Sequence, residues 1–346
     1  MKKKIYYIML GILPTLWACQ ADEQQMPASD AAATVTLRTD IGALQTRTPY
    51  ELTTPSSEKP LDATVWVSTT AGTFADGSAD GSDGTTVSKH VDAHFISGTS
   101  TLTGVKYPHT VVGDVVNKPT VYFIGLYPQS WSTTAGTSAT HTVTGKDDLL
   151  YAHQVTGEYA TATPPTLHFY HLLTWLRFKV VADDAEVRDA WGKLKSIQLN
   201  AQPTSVSLDL SSAPTDPIKT NVYSILTFTG SSPMSLYGTG TNTTFPAADY
   251  TLPTTPMEVA YVLCPPVVAT NALDSYEYTL TLSTEHRSNV TVNIDLKDAV
   301  DAFYSGNTIG QQFEVTLRFT MGKTLAVATQ VTGWKFNGYG DAEVDE

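Results

Sequence analysis

Residues 166–181 read TLHFYHLLTWLRFKVV, the longest apolar-rich run between the first quarter of the chain and its end. Pro164-Pro165 stands before it and Asp183-Asp184 after it, so the run is bounded at both ends by residues that break regular structure. Its aromatic and β-branched content predicts one long strand, although Leu172, Leu173 and Leu176 also fit a helical spacing. Working outward, the same chemistry recurs in short pieces. Residues 34–38, 63–69, 94–96, 120–126 and 149–153 precede the run and read as strands. Residues 195–199, 205–210, 222–228, 257–263, 276–283, 290–296, 313–320 and 325–331 follow it. Turn-rich segments of Gly, Pro, Ser and Asp separate them, at spacings typical of sandwiches. Only 185–193 predicts a short helix. About fourteen strands imply an all-β chain of two β-sandwich domains with about seven strands each.

Length and composition agree with that division. The 346 residues are enough for two domains with separate cores, and 41% apolar residues is ordinary for folded protein. The predicted division is residues 34–164 for an N-terminal sandwich and 165–346 for a C-terminal one. The formal charge of −13 argues against nucleic acid or an anionic membrane as a partner, because both select clustered Lys and Arg.

The beginning of the chain has its own logic. Lys2, Lys3 and Lys4 precede an apolar run, residues 5–17, too short to span a bilayer, and Ala18 leads into Cys19. Charge, apolar run and small-residue exit predict a signal peptide over residues 1–18. Its removal deletes three lysines and no acid, which takes the charge from −13 to about −16. Residues 16–19 (LWAC) resemble the lipobox of bacterial lipoproteins, with Trp17 where a small or aliphatic residue is usual. That resemblance implies a diacylglycerol on the Cys19 thiol. Residues 20–23 (QADE) resemble the acidic tag of surface-exposed Bacteroidales lipoproteins. Residues 19–33 then read as a lipidated flexible tether. The only other cysteine is Cys264, so no internal disulfide forms if Cys19 is acylated, and Cys264 reads as a buried strand-end thiol.

Five motifs in order resemble the fimbrillins of Bacteroidales, the Mfa-like and FimB-like surface lipoproteins. They are residues 122–128 (YFIGLYP), residues 148–152 (DLLYA) and residues 167–180, which carry His171-Leu172-Leu173. Residues 304–317 (YSGNTIGQQFEVTL) follow, with Phe313 where Tyr is usual, and Gly333-Trp334 closes the series. The resemblance implies two transthyretin-like Greek-key β-sandwich domains and a place in surface fimbriae or on the outer membrane. It also implies proteolytic removal of the first strand and its replacement by another subunit's strand, a form of β-augmentation. Residues 34–38 are the removable strand on this reading. Arg47 is the preferred cleavage site, since exposed loops are where chains are nicked, and Arg38 is second because it sits inside the strand. The plain alternative for Arg47 is a solvated loop residue. Residues 335–346 (KFNGYGDAEVDE) carry two glycines and four acids, a poor donor strand, which favours a tip or accessory subunit over a shaft subunit.

Catalytic and metal readings are weaker. The chain has no Gly-x-Ser-x-Gly elbow, P-loop or dinucleotide fingerprint, and no enzyme activity, cofactor or metal is expected. His90 and His94 share a face if their segment is a strand, but about 13 Å apart. His168 and His171 fall on opposite faces of a strand, and His171 is expected to hydrogen-bond at a core edge. Asp76, Asp80 and Asp83 lack the 1-3-5 spacing of a calcium loop, so a plain acidic loop is the simpler reading. Trp131, Tyr159, Trp191, Tyr237, Tyr250 and Tyr339 lie in loop-like surroundings. Stacked on sugars, they would make the chain a glycan-binding surface lipoprotein; the commoner role is to cap the sandwich ends.

Overall fold

A computed structural model describes residues 33–41, 60–134, 136–211, 225–241, 243–267, 277–297 and 308–330. Cys19, Arg47, Trp334 and Tyr339 lie outside them, as do the signal segment and all of the tether but Ala33. The first strands are β1 (Thr34–Ile41), β2 (Leu61–Ser68), β3 (Ala79–Asp80), β4 (Val87–Phe95) and β5 (Thr99–Lys106). Next come β6 (Thr110–Val112), β7 (Val115–Asn117), β8 (Val121–Tyr127), β9 (Ser132–Thr134), β10 (Ser138–Thr142), β11 (Leu150–Gly157) and β12 (Thr166–His171). Strand β13 (Thr174–Ala182) leads into helix α1 (Ala185–Trp191), followed by β14 (Leu194–Gln202), β15 (Ser205–Asp209), β16 (Leu226–Thr229), β17 (Ser232–Gly238) and β18 (Thr244–Phe245). The last are β19 (Met257–Cys264), β20 (Glu277–Thr284), β21 (Val290–Asp295), β22 (Gln312–Phe319) and β23 (Thr324–Gln330).

The fold is all-β, with two large sheets that form β-sandwiches. The first sheet has eight strands in the order β3-β4-β2-β8-β11-β12-β1-β5. The second has nine: β21-β20-β14-β17-β19-β13-β22-β23, with β18 added on β17. Each contains one parallel pair, β1 with β12 and β13 with β22. In the first sheet the turn between β4 and β5 does the folding-over. Ser97 and Gly98 both have positive φ (51° and 77°), as a two-residue hairpin turn of matching twist requires. Because β4 pairs with β2 while β5 pairs with β1, this tight turn joins the two flanks of the sheet.

The stretch 166–181 is two strands rather than one. Strand β12 bonds to β11 and β1 in the first sheet, and β13 bonds to β19 and β22 in the second. The chain changes sheets across Leu172 and Leu173, both buried. The Leu172 N–H donates to Leu149 O (2.9 Å) and Leu173 O accepts from the Gly310 N–H (3.1 Å), so neither end of the crossing is left unsatisfied. The change of sheets therefore comes after β12. A smaller sheet, β16-β15-β10-β9, pairs strands from both sides of that crossing.

The central strands are buried on both faces: Phe95, Phe123 and Phe169 share one face of the first sheet and Phe178, Phe313 and Phe319 one face of the second, while Trp66 and Trp175 are buried on the opposite faces. The helix closes one end of the second sandwich. Asp184 caps it by accepting from the Val187 N–H (2.8 Å), and Gly192 (φ 69°) ends it. Its Trp191 is fully buried, donates from Nε1 to Thr320 O (2.7 Å) and lies under the Arg287 guanidinium at 4.0 Å. No helix among the described residues is long and apolar enough to cross a membrane.

Candidate functional site

The first strand occupies a slot in the first sheet. On one side β1 runs parallel to β12, with Arg38↔Thr166 through Ile41↔Phe169 in register. On the other it runs antiparallel to β5, from Thr34↔Lys106 to Arg38↔Thr99, with an irregularity between Thr34 and Thr36. Val35 and Leu37 are fully buried, while Thr34 and Arg38 are exposed and Thr36 is half-buried. That alternation is the period-2 pattern of a strand with one face in the core. Backbone bonds pin both ends. The Tyr107 N–H donates to Ala33 O (2.8 Å), the Arg38 N–H to Pro165 O (2.8 Å) and the Thr39 N–H to Gly98 O (2.9 Å). On the outer face the Thr36 and Thr101 hydroxyls are 3.2 Å apart.

Two buried polar atoms at the slot stand without a hydrogen-bond partner, Thr39 Oγ1 and the Tyr107 hydroxyl beside the start of the strand. Burial pushes the Tyr107 phenol up to about 12. A crevice of about 340 Å³ elsewhere is lined by Thr243, Phe245 and Tyr250; the one at this slot is about 230 Å³ and lined by Thr34, Thr36, Tyr107, Ala160 and Pro164. Chemically, a slot between two strands offers two rows of backbone donors and acceptors plus apolar pockets at alternate positions. It can hold an extended peptide and nothing in it resembles a nucleophile or acid–base pair.

The structure brings few of the other sequence candidates together. His90 and His94 both lie on β4 but serve different partners. His90 Nδ1 is 2.8 Å from Asp76 Oδ1 and its ring packs on Trp66, while His94 Nδ1 contacts Asp62 Oδ1. Asp80 and Asp83 are turn-formers. Asp80 accepts from the Ser82 hydroxyl and N–H, and Asp83 from the Thr85 and Thr86 N–H groups. Those bonds hold both carboxyls below the usual carboxylate range. No group of three or more metal-ligating side chains gathers among the described residues. His171 is buried with its Nδ1 2.6 Å from Asp148 Oδ2, as a core-edge hydrogen bond predicts. His168 stacks on His153 instead, with ring centroids 6.2 Å apart. Cys264 ends β19 wholly buried, 3.6 Å from Thr174 O, and burial pushes its thiol up to about 12. Of the six aromatics, Trp131, Tyr159 and Trp191 are buried, and Tyr237 and Tyr250 half-buried. Tyr237 stacks toward Tyr261 and Tyr250 toward Phe245, so each is spent on a neighbour.

Sequence reading missed the β6–β7 hairpin. Its signal was present as Val-Val-Gly-Asp-Val-Val, residues 111–116, two apolar pairs about a Gly-Asp tip.

A family model described as fimbrillin-like matches residues 115–334. Among solved structures, a candidate cell-adhesion protein of Bacteroides uniformis superposes with a TM-score of 0.51 at 15% identity, over 87% of this chain and 98% of that one. At that identity the likeness is one of fold. A candidate cell-adhesion protein of Bacteroides ovatus gives 0.47 at 12% identity, over 86% and 95%. A fimbrial protein of Bacteroides vulgatus gives 0.39 at 14%, over 87% and 99%. No functionally curated protein matches the chain.

Proposed function

The chain belongs to the fimbrillin-like family, and on that premise we propose that it is a surface lipoprotein that joins a fimbrium by exchanging β1 for a partner subunit's strand. The fimbrial-type, cell-surface character goes with the family. Strand exchange, lipidation of Cys19 and cleavage after Arg47 are this reading's own. The observation that carries it is the position of β1, an inserted strand with two hydrogen-bonded neighbours and a buried Val35/Leu37 face. Its loss would bare an edge on β12 and another on β5, together with two apolar pockets. A donated strand would refill both, and β-augmentation draws its affinity from that combination.

Arg38 is a poor place for the cut, because its N–H and that of Thr39 are both engaged in the strand's end bonds. Arg47 lies on the connection between Ile41 and Leu61, which a protease can cut without touching the ladder. A tip or accessory position requires that the chain accept a strand without donating one. A sugar-binding role needs exposed aromatic faces side by side, and three of the five described candidates are buried.

The test is N-terminal sequencing of protein recovered from the native cell surface. A new terminus at Thr48 supports strand removal after Arg47, and one at Thr39 moves the cut to Arg38. Recovery of acylated Cys19 alone overturns strand exchange by processing. Mixing a chain that begins at Thr48 with family subunits, then resolving mixed complexes by mass, tells accepting from donating.

A further inference from the structure

Six large hydrophobic side chains stand exposed among the described residues: Ile96, Val111, Val112, Val115, Met257 and Met321. Three of them share the β6–β7 hairpin, where Val111, Val112 and Val115 are 51%, 75% and 69% exposed. The hairpin is a two-stranded sheet of its own, with Thr110↔Asn117, Val111↔Val116 and Val112↔Val115 as its rungs. Two strands alone bury little, and folding gives no reason to place valines at such a tip.

The root of the hairpin is firm. The His109 ring stacks on Tyr159 with centroids 3.8 Å apart, and Lys118 pairs with Glu158 at 3.3 Å. That root is also the pole where the chain enters the fold. Tyr107, two residues before His109, donates to Ala33 O, and Thr34 is in register with Lys106. Residues 20–32 alone separate Cys19 from Ala33. Thirteen residues span at most about 45 Å extended and about 20 Å as a coil. An anchor on Cys19 is thus joined to the fold at this pole and lies within reach of it.

We propose that in the tethered form the β6–β7 hairpin docks on the lipid surface, with Val111, Val112 and Val115 inserted at the headgroup boundary beside the anchor. This rests on the lipidation of Cys19. A three-residue arm rises about 10 Å, which matches the ~5–10 Å depth of interfacial insertion. Asp114 leads at the tip ahead of the valines, and the tethered chain's charge of about −16 once residues 1–18 are removed selects a zwitterionic surface over an anionic one. Two contacts at one pole fix orientation as well as attachment. Strand β1 then points away from the membrane, and the connection holding Arg47 joins strand ends on the outward side.

The experiment couples residues 19–346 through the Cys19 thiol to a maleimide lipid in phosphatidylcholine vesicles; buried Cys264 does not compete. Hydrogen exchange of residues 110–117 is compared with that of the same chain capped by a soluble maleimide. Slowing of about tenfold or more on vesicles is expected. The variant V111S/V112S/V115S, coupled in the same way, should lose it while exchange elsewhere stays unchanged. Equal exchange in the coupled and capped chains overturns the proposal. So does slowing in the capped chain that grows with its concentration, which assigns the hairpin to a second copy. Chemical coupling bypasses the cell, so native acylation is read separately, by alkyne fatty-acid labelling of Cys19.

Discussion

Leu37→Ala is the sharpest test of the idea that β1 is a removable yet well-seated strand. Leu37 is wholly buried, opposite Ser100 on β5 and one residue before the pairing with β12 begins. Truncating a buried leucine costs about 2–5 kcal/mol, according to how far the site collapses. The slot is walled by two strands held in their own ladders, which limits collapse, so about 3 kcal/mol is expected. With a urea dependence of about 2–3 kcal/mol per molar, the unfolding midpoint of the first sandwich should fall by about 1 M. Tryptophan fluorescence can follow it, since Trp66 and Trp131 both lie in that part of the chain. The internal control is Thr36→Ala. Thr36 points outward and loses only its contact with the Thr101 hydroxyl, for which about 0.5 kcal/mol is expected. The same pair should separate in exchange assays, with Leu37→Ala releasing β1 to a competing strand sooner. If Leu37→Ala shifts the midpoint no more than Thr36→Ala, β1 is not seated by its apolar face and the slot argument fails.

Three further outcomes follow from the packing. A Cβ on Gly125 would stand 2.5 Å from Phe169 Cζ and 2.9 Å from its Cε1. Gly125→Ala should therefore cost about 1–3 kcal/mol by thermal unfolding, with most of it recovered in the double variant with Phe169→Leu; simple additivity would contradict the clash. His141 donates from Nδ1 to Thr142 O (2.7 Å) and meets the Ser130 hydroxyl at Nε2 (2.8 Å), and burial lowers its pKa below the ordinary 6.5. The unfolded chain then takes up this proton first, so the contribution is complete above about pH 6.5 and is lost as pH falls toward the folded value. His141→Gln should flatten the melting temperature between about pH 7 and pH 5, and an unchanged acid limb would refute this. Finally, Cys264 should be silent to thiol reagents in the native Cys19→Ser chain and react fully in denaturant; native labelling at one thiol per chain would place it at the surface instead.

The parts of the fold that were legible in the sequence are those where one face is wet. Strands β20 and β22 alternate buried and partly exposed residues, and their runs are visible without further help. The helix was legible from Asp184 and the run after it. Residues 166–181 misled because both strands in that run are buried on most positions, so alternation vanished where the chain changed sheets. Strands β9 and β10 were invisible for the opposite reason. They are short and built of Ser, Thr and His with a single Ala139, and β10 gains its place from β15 and β9 from β10 rather than from any apolar pattern of their own. Strand β1 was found by alternation alone, but its slot was not, because a parallel partner 128 residues away (Arg38↔Thr166) leaves no local mark.

The small sheet that pairs β10 with β15 has a mechanical consequence. Five rungs, from Ser138↔Asp209 to Thr142↔Ser205, cross between strands that lie on either side of Leu172–Leu173. Leu263, in the second sheet, adds a rung of its own by donating to Gly145 O at 2.8 Å. A chain of two beads joined by one covalent segment would pivot under load and pass all tension through that segment. Here a pull on one sandwich is divided between the peptide crossing and a hydrogen-bonded clasp beside it, so the two are tied at more than one point.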